Sequence, residues 1–266
     1  MSRPARNAGA PEALPEVDSL QRGLQMLRSF RNGEKSLRLA DFVERTRIPR
    51  QSAQKLLNTL VAHHFLRYLP EFDRYEPDVA CFVVGHSLRA SLTVLRVARQ
   101  PMQRLAAEKG VDVFLATREG LEMMVLEYCS AGTEAAQYSA GSLLPLAHSA
   151  AGRAWLWSQK PTVQGEYIER LRATEQEDAL DAIPGIYRAF QDLSERGYCI
   201  SLGEGLQDKH AVATPLLDPT GKEALVLAAM TTGQRLREPS VRESVGMALV
   251  ACAARIRSEL ARVEGA

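Results

Sequence analysis

The amino-acid sequence predicts an α+β protein of two domains, a small basic helical module followed by a larger domain of strands and helices. Three observations support this. The chain has 266 residues, which at about 150 residues per domain favours two domains. Basic residues are concentrated in the first quarter. Beyond residue 110, strand-like segments alternate with helical patterns, as expected for an antiparallel sheet flanked by helices.

Composition narrows the class of protein. Apolar residues make up 45% and charged residues 24% of the chain, as in ordinary globular proteins. No apolar run approaches the roughly 20 residues of a membrane helix. Residues 1–16 lack the apolar core of a signal peptide and are predicted to be a disordered tail. The four scattered cysteines form no CxxC pair, so we expect reduced thiols in a cytoplasmic protein.

Two amphipathic helices open the first domain. The apolar residues of the first recur at helical spacing: Leu20, Leu24, Leu27 and Phe30. Asp18 and Ser19 are both candidate caps for its start, and Asn32-Gly33 is predicted to end it. A second helix is predicted over 36–46, with Ser36 as its N-cap. Its apolar face consists of Leu39, Phe42 and Val43.

A short turn, a third helix and a hairpin follow. Thr46-Arg47-Ile48 separate the helices, and Pro49 suits a first helical turn, where its missing N–H costs nothing. The third helix is predicted over 49–64. Its buried stripe consists of Ala53, Leu56, Leu57, Leu60 and Val61. Two short strands around residues 70–73 complete the element order of a winged helix-turn-helix.

Charge is distributed unevenly. Residues 19–69 contain ten Lys and Arg but three Asp and Glu, whereas the whole chain has a net charge of +1. Residues 45–70 contain five basic side chains and no acidic one. A basic module on a mildly acidic remainder fits a DNA-contacting domain attached to another domain.

The N-terminal half of the third helix is predicted to enter the major groove of DNA. Arg and Gln pair with guanine and adenine edges, and Ser and Lys reach bases or phosphates. Arginines of the hairpin are expected to contact the backbone or minor groove. The predicted DNA-binding residues are Arg47, Arg50, Gln51, Ser52, Gln54, Lys55, Arg67 and Arg74. The alternative is a packing module with an incidental basic face.

A helical pattern continues from Val79 to Lys109, where Pro101 is expected to break or restart the helix. The chain is therefore divided into four parts. These are a tail (1–16), a winged helix-turn-helix domain (17–78), a linker helix (79–99) and a second domain (100–264).

The second domain is predicted to contain two hairpins. The first spans 111–129 around Glu119-Gly120, and the second spans 210–232 and turns at residues 218–221. Helices are predicted over 149–159, 166–172, 185–196 and 239–263.

Small residues mark a candidate ligand site. The run 148–152 should open a helix, whose free N–H groups suit a carboxylate. Ser201, Glu204 and His210 are placed on a loop leading into a strand, and residues 230–232 end the last strand.

Enzymatic motifs are absent from the sequence. It contains no GxSxG, Walker A, HExxH or complete GxGxxG pattern, and we expect neither a cofactor nor a metal site. The alternative remains an enzyme that uses Glu204, His210 and His148, with N-terminal helices that only mediate assembly.

With these residues identified, the chain resembles the IclR family of bacterial transcription regulators from about Val17 to Val263. The N-terminal resemblance lies in SLQRGLQMLRSF and LADFVERTRIPRQSAQKLLNTL. The C-terminal resemblance lies in LPLAHSAAGRAWL, RGYCISLGEG and HAVATPLLDPTGKEALVLAAMTT.

The resemblance implies a GAF-like effector domain that senses a small organic acid, often an aromatic one, in control of a catabolic operon. It also implies homodimers or dimers of dimers, joined through the N-terminal module and linker helix, on double-stranded DNA with a pseudo-palindromic operator. By position, the effector-binding residues would be Ser149, Ala150, Gly152, Ser201, Glu204, His210, Ala211, Met230 and Thr232.

The resulting hypothesis is a ligand-responsive regulator. An effector can bias two arrangements of the DNA-binding modules only by binding one of them better. Repression and activation are both compatible with these residues. A third option is an architectural DNA-binding protein that does not respond to a ligand.

Overall fold

A computed structural model describes residues 17–31, 34–132, 138–173, 177–204, 208–217 and 224–264. Two of the sequence predictions lie outside these residues: the tail over 1–16 and the turn at 218–221. The prediction that Asn32-Gly33 ends the first helix is wrong, because that helix already ends at Leu27. The chain forms two compact units, divided between Ser87 and Leu88.

The N-terminal unit is the predicted winged helix-turn-helix. Its elements are α1 (Asp18–Leu27), α2 (Leu39–Thr46), α3 (Arg50–Ala62), β1 (Leu66–Leu69) and β2 (Arg74–Pro77). The two strands are antiparallel, with Tyr68 opposite Tyr75, and Leu37 bridges to Tyr75 from the other side. Their shared core consists mainly of Met26, Phe42, Ala53, Leu57 and Leu66. Burial of these side chains fixes the angle at which α3 leaves the turn.

The helix starts differ from the sequence predictions. Neither Asp18 nor Ser19 caps α1, which begins after Val17 without a side-chain cap. Ser36 is not the cap of α2. There, the Asp41 carboxylate accepts a hydrogen bond from the Arg38 N–H at 2.7 Å, because an acid in the first turn can satisfy the donor from inside the helix.

Two further predictions about these helices are wrong. Pro49 is the residue before α3 rather than part of its first turn. The predicted stripe of α1 is largely exposed, with Leu20 at 61% and Leu24 at 51% of full exposure, whereas Met26 is buried. The helix therefore packs through its last turn, which leaves an apolar face near its start open.

Arg45 joins the helices of this unit. Its guanidinium bonds both carboxylate oxygens of Glu34 at 2.6 Å and donates to the Ser29 carbonyl at 2.6 Å. The Arg45 guanidinium beside Glu34 lowers the pKa of that carboxyl from 4.5 to about 2. The pair therefore favours the charged carboxylate in the folded state.

Glu34→Gln is expected to remove a pH-dependent part of the stability. Because the folded pKa lies below the unfolded one, the stabilisation is complete above pH 4.5 and is lost as the pH falls from 4.5 towards 2. Urea unfolding across this range should show wild type and variant converging at low pH. Glu44→Gln is the control, and a gap that does not change with pH would contradict the assignment.

The helical region after the wing breaks at Leu92 and not at Pro101. Helix α4 spans Val79–Ser91 and α5 spans Thr93–Lys109, and Leu92 between them is extended. Pro101 lies inside α5 and is buried on the same face as Ala98 and Leu105. Its packing accommodates the lost hydrogen bond. In the described part of the chain no single helix meets the length and hydropathy needed to cross a membrane; only the bent pair α4 and α5 together does.

The C-terminal unit contains a six-stranded antiparallel sheet in the order β5-β4-β3-β8-β7-β6. Its strands are β3 (Asp112–Glu119), β4 (Glu122–Cys129), β5 (Leu143–Pro145), β6 (Cys199–Leu202), β7 (Lys209–Leu217) and β8 (Ala224–Thr232). Its later helices are α6 (Ala150–Trp157), α7 (Pro161–Ala173), α8 (Glu177–Arg196) and α9 (Pro239–Glu264), with a 3₁₀ turn at Arg235–Arg237. Both predicted hairpins and the predicted helices are present. The two edge strands, β5 and β6, were not predicted.

Each face of the sheet is covered by helices. Helices α5 and α9 pack on one face, around Met102, Leu115 and Leu249. Helices α6 to α8 pack on the other, around Phe114, Leu156 and Ile186. Side chains alternate between these cores along every strand, and this alternation decides which residues can reach a site on either face.

Candidate nucleic-acid interface and ligand pocket

The start of α3 presents an exposed polar surface. Arg47 ends α2 in the left-handed conformation, with φ of 58°, and its N–H donates to Val43. This compact turn directs α3 away from α2. Arg50, Gln51 and Lys55 are exposed on α3, and Ser52 is half-buried. The structure therefore brings together a cationic and amide-bearing face at the beginning of the helix.

Gln54 has a structural partner. Its side-chain N–H donates to the Tyr75 hydroxyl at 2.9 Å and to Asn58 Oδ1 at 3.0 Å. The Gln54 amide thus links α3 to the wing, and both of its hydrogen bonds are to groups of the same unit. Its direct role is to fix the helix relative to strand β2.

The two arginines of the hairpin are also engaged. Arg67 forms an ion pair with Glu76 across the strands. The Arg74 guanidinium donates to the Ser36 carbonyl at 3.0 Å and is half-buried. Arg74 therefore anchors the hairpin to the segment before α2, while Arg67 is exposed but has its charge partly neutralised.

A pocket lies on the α6 side of the sheet in the C-terminal unit. It encloses about 460 Å³ of space free of protein atoms, its open mouth included. Its lining comprises Phe114, Tyr138, Leu144, Pro145, His148, Ser149, Ala150, Ala151, Ser201, Lys209, Ala211 and Met230. A mostly apolar lining with a few polar groups is the usual composition of a small-molecule site.

Five of the nine effector residues expected from the resemblance line this pocket: Ser149, Ala150, Ser201, Ala211 and Met230. Ser149 caps α6 by accepting a hydrogen bond from Gly152 N–H at 3.0 Å, and Ser201 donates to the His148 carbonyl at 3.2 Å. Contrary to the sequence prediction, Ser201 lies within β6 and not on a loop.

His210 is not placed at the pocket. It follows Lys209 in β7, so its side chain points to the opposite face, where Arg237 donates to its Nε2 at 3.3 Å. Burial and the Arg237 charge lower its pKa, so it is neutral at physiological pH. Thr232 shares the pocket face of the sheet but is exposed at the end of β8 and is not part of the lining.

Glu204 is held by a buried arginine. Arg153 on α6 is 1% exposed, pairs with Glu204 at 2.5 Å and donates to the Ala147 carbonyl at 3.0 Å. Gly185 on α8 leaves the room that this guanidinium occupies, since an added Cβ there would lie 2.6 Å from its central carbon. Glu204 therefore fixes the chain beside the pocket and does not face into it. The enzyme alternative named Glu204, His210 and His148 as its candidates. Of these, His148 lines the pocket, whereas Glu204 is paired with Arg153 and His210 lies on the opposite face of the sheet.

Gly152 is a packing residue and not a lining residue. A Cβ at this position would overlap the carbonyl oxygen of Leu146 and come within 2.5 Å of its Cα. Helix α6 can lie this close to the preceding segment only because residue 152 has no side chain. That approach sets the position of the helix start at the pocket.

Five residues of the pocket lining were not identified from the sequence: Phe114, Tyr138, Leu144, Pro145 and Lys209. Lys209 places its ammonium 3.9 Å from the centre of the Tyr138 ring. Tyr138 lies outside the motifs, six residues before LPLAHSAAGRAWL, and no local signal identified it. Lys209 could have been found from strand alternation, because it shares a face with Ala211.

Sequence comparison relates both units to known proteins. The family described as "Bacterial transcriptional regulator IclR C-terminal" matches residues 86–258, and "IclR helix-turn-helix domain" matches residues 19–70. The HTH-type transcriptional regulator TsaQ1/TsaQ2 of Comamonas testosteroni is 27% identical over 264 residues, which cover 96% of this chain and 95% of that protein.

Solved structures have the same fold. The crystal structure of an IclR family transcriptional regulator from Brucella abortus has a TM-score of 0.82 and 30% identity, covering 92% of this chain and 93% of its own. An IclR homologue from Microbacterium hydrocarbonoxydans, crystallised with 4-hydroxybenzoate, has a TM-score of 0.70 and 20% identity, covering 92% of this chain and 100% of its own.

Proposed function

Because this chain belongs to the IclR family of bacterial transcriptional regulators, we propose that it controls a catabolic operon in response to a small organic acid, with an aromatic acid as the first candidate. The observation that carries this proposal is the exposed basic start of α3 in one unit together with a mostly apolar pocket with a few polar groups in the other. A binding surface and a sensing site on separate units are what ligand-controlled DNA binding requires.

In this proposal Arg50, Gln51 and Lys55 contact DNA through the major groove, with Arg47 and Ser52 beside them at the phosphates. All lie at the start of α3 or in the turn before it, the part of a recognition helix that meets base edges. Gln54 and Arg74 position these groups through Tyr75 and Ser36. Arg67 contributes less than an unpaired arginine because Glu76 competes with phosphate for it.

The protein acts as a homodimer or dimer of dimers on a pseudo-palindromic operator. Support comes from exposed apolar side chains on α4, including Phe82 at 75% exposure, and from the open face of α1. Apolar surface of this kind marks sites of association. A two-fold dimer would present two copies of α3 to two half-sites about one helical turn apart.

The effector is bound in the pocket beside α6. Phe114, Leu144 and Met230 supply an apolar surface for a ring or chain, while the polar residues of the lining suit an acid. The relative crystallised with 4-hydroxybenzoate supports testing aromatic acids first. The effector changes DNA affinity by binding one arrangement of the dimer more tightly than the other.

Glu76→Gln is expected to strengthen DNA binding several-fold. Removing the carboxylate frees the Arg67 guanidinium for phosphate and removes a negative charge from the wing. Fluorescence anisotropy with an operator duplex would measure the change, with Glu44→Gln on α2 as the matched control. Unchanged or weaker binding in Glu76→Gln alone would argue against a wing contact by Arg67.

The proposed function is tested by mobility shift with DNA flanking the gene, with and without 4-hydroxybenzoate and other small acids. Protection of a two-fold symmetric site, and a change in its occupancy by an acid, are the expected results. Affinity should also fall linearly with the logarithm of salt concentration. Absence of a specific complex with any flanking fragment would contradict the proposal.

A further inference from the structure

We propose that Lys209 recognises the carboxylate of the effector, so that the pocket selects apolar carboxylates over neutral molecules of the same shape. This assignment rests on the proposed function and deepens it by naming the residue and the ligand class. Lys209 begins β7 and lines the pocket, and nothing in the sequence motifs singled it out.

The first argument is the position of the ammonium group. It lies 3.9 Å from the centre of the Tyr138 ring, a distance at which a lysine is attracted to an aromatic face. Tyr138 is itself 8% exposed. The ring therefore holds the Lys209 ammonium at the pocket wall, whereas a lysine on an open surface would extend into water.

The second argument is charge. Among the described residues that line the pocket none is acidic, and Lys209 forms no ion pair with a described carboxylate. The nearby acid Glu204 is already bound by Arg153 and lies close to Arg188. Because no described carboxylate pairs with this partly enclosed cation, it favours an anionic ligand, since pairing offsets the cost of removing both groups from water.

The third argument is the arrangement of polar and apolar groups. Ala211 and Met230 lie on the same face of the sheet as Lys209 and continue from it into the pocket, since Ala211 pairs with Met230 in adjacent strands. A ligand with its carboxylate at Lys209 would lay its apolar body over these side chains and Phe114. The start of α6 and His148 at the other wall would accept a second polar substituent.

The test compares acids with their amides, which have the same shape and no charge. Benzoate with benzamide, and 4-hydroxybenzoate with 4-hydroxybenzamide, are titrated calorimetrically into the full-length protein and three variants. Lys209→Met removes the charge and keeps an unbranched side chain that is one atom shorter, and Lys209→Arg keeps the charge. Lys160→Met, on an exposed residue outside the pocket, is the matched control.

Wild type and Lys160→Met should bind an acid at least tenfold more tightly than its amide. Lys209→Met should weaken acid binding about 10- to 100-fold and leave amide binding unchanged, so that the preference disappears. Lys209→Arg should retain most of it. Tyr138→Phe should match wild type, whereas Tyr138→Leu should reduce the preference because the ammonium loses its aromatic support.

An acid preference that survives in Lys209→Met would overturn the assignment and leave the proposed function standing. Wild-type protein that binds amides as well as acids, or binds neither, would overturn the assignment together with the organic-acid part of the proposed function. The DNA-binding part is judged separately by the mobility shift, so the two failures can be told apart.

Discussion

Replacing Gly152 with alanine is expected to lower the free energy of unfolding of the C-terminal unit by about 3 kcal/mol, at the upper end for an overpacked site. The added Cβ would meet backbone atoms of Leu146, namely its carbonyl oxygen, its Cα at 2.5 Å and its carbonyl carbon at 2.6 Å. Backbone atoms cannot rotate away as a side chain can. Helix α6 must move, and the packing of Leu156 and Trp155 moves with it.

Gly165 in α7 is the matched control for this experiment. A Cβ there meets nothing within 4 Å, and alanine favours a helix over glycine by about 1 kcal/mol. Gly165→Ala should therefore be as stable as wild type or slightly more stable. Urea or thermal unfolding followed by circular dichroism measures both. If Gly152→Ala unfolded at the wild-type midpoint, the close approach at Leu146 would not be a feature of the protein in solution.

Replacing Arg50 and Lys55 together with alanine is expected to weaken operator binding by about 100-fold or more. Each base or phosphate contact from such a side chain contributes roughly 1–3 kcal/mol, and 1.4 kcal/mol is a factor of ten. Both side chains are exposed on α3, so their removal should leave the fold intact. The salt dependence of binding should become shallower by about one unit per lost phosphate contact.

Lys160→Ala with Arg170→Ala changes the net charge by the same amount in the other unit, immediately before α7 and within it, and this double variant should bind DNA like wild type. Fluorescence anisotropy at several salt concentrations distinguishes the two double variants. Wild-type affinity in Arg50→Ala/Lys55→Ala, with an unchanged circular dichroism spectrum, would refute the role assigned to the start of α3.

Local patterns predicted the N-terminal unit well. The order of its elements follows from periodicity, a short turn and a concentration of basic residues, all of which are encoded within about 60 residues. The prediction that failed for the face of α1 concerns packing between elements, which local patterns do not encode. The apolar face of α1 was recognised from spacing, but only the fold reveals that Met26 is its buried residue while Leu20 and Leu24 stay exposed.

The pocket was predicted less completely because its parts come from distant segments. Ser149 and Ala150 were found from a small-residue helix start, but Tyr138 and Phe114 reach the pocket through the tertiary fold. His210 was misplaced because residues 210 and 211 were assigned to one site. Adjacent residues of a strand point to opposite faces, so the alternation that placed Ala211 in the pocket excluded His210. Arg153 was missed because sequence patterns do not reveal a buried arginine that has a partner more than 50 residues away.

The pairing of Arg153 with Glu204 has a consequence for how a ligand enters and leaves. If Glu204 moved outward, the buried Arg153 guanidinium would lose its carboxylate partner. An unpaired buried charge is strongly unfavourable. Glu204, just after β6, is therefore held in place beside the pocket. If Lys209 binds the carboxylate as proposed, ligand exchange is expected to depend on Lys209 leaving the Tyr138 ring rather than on movement of Glu204.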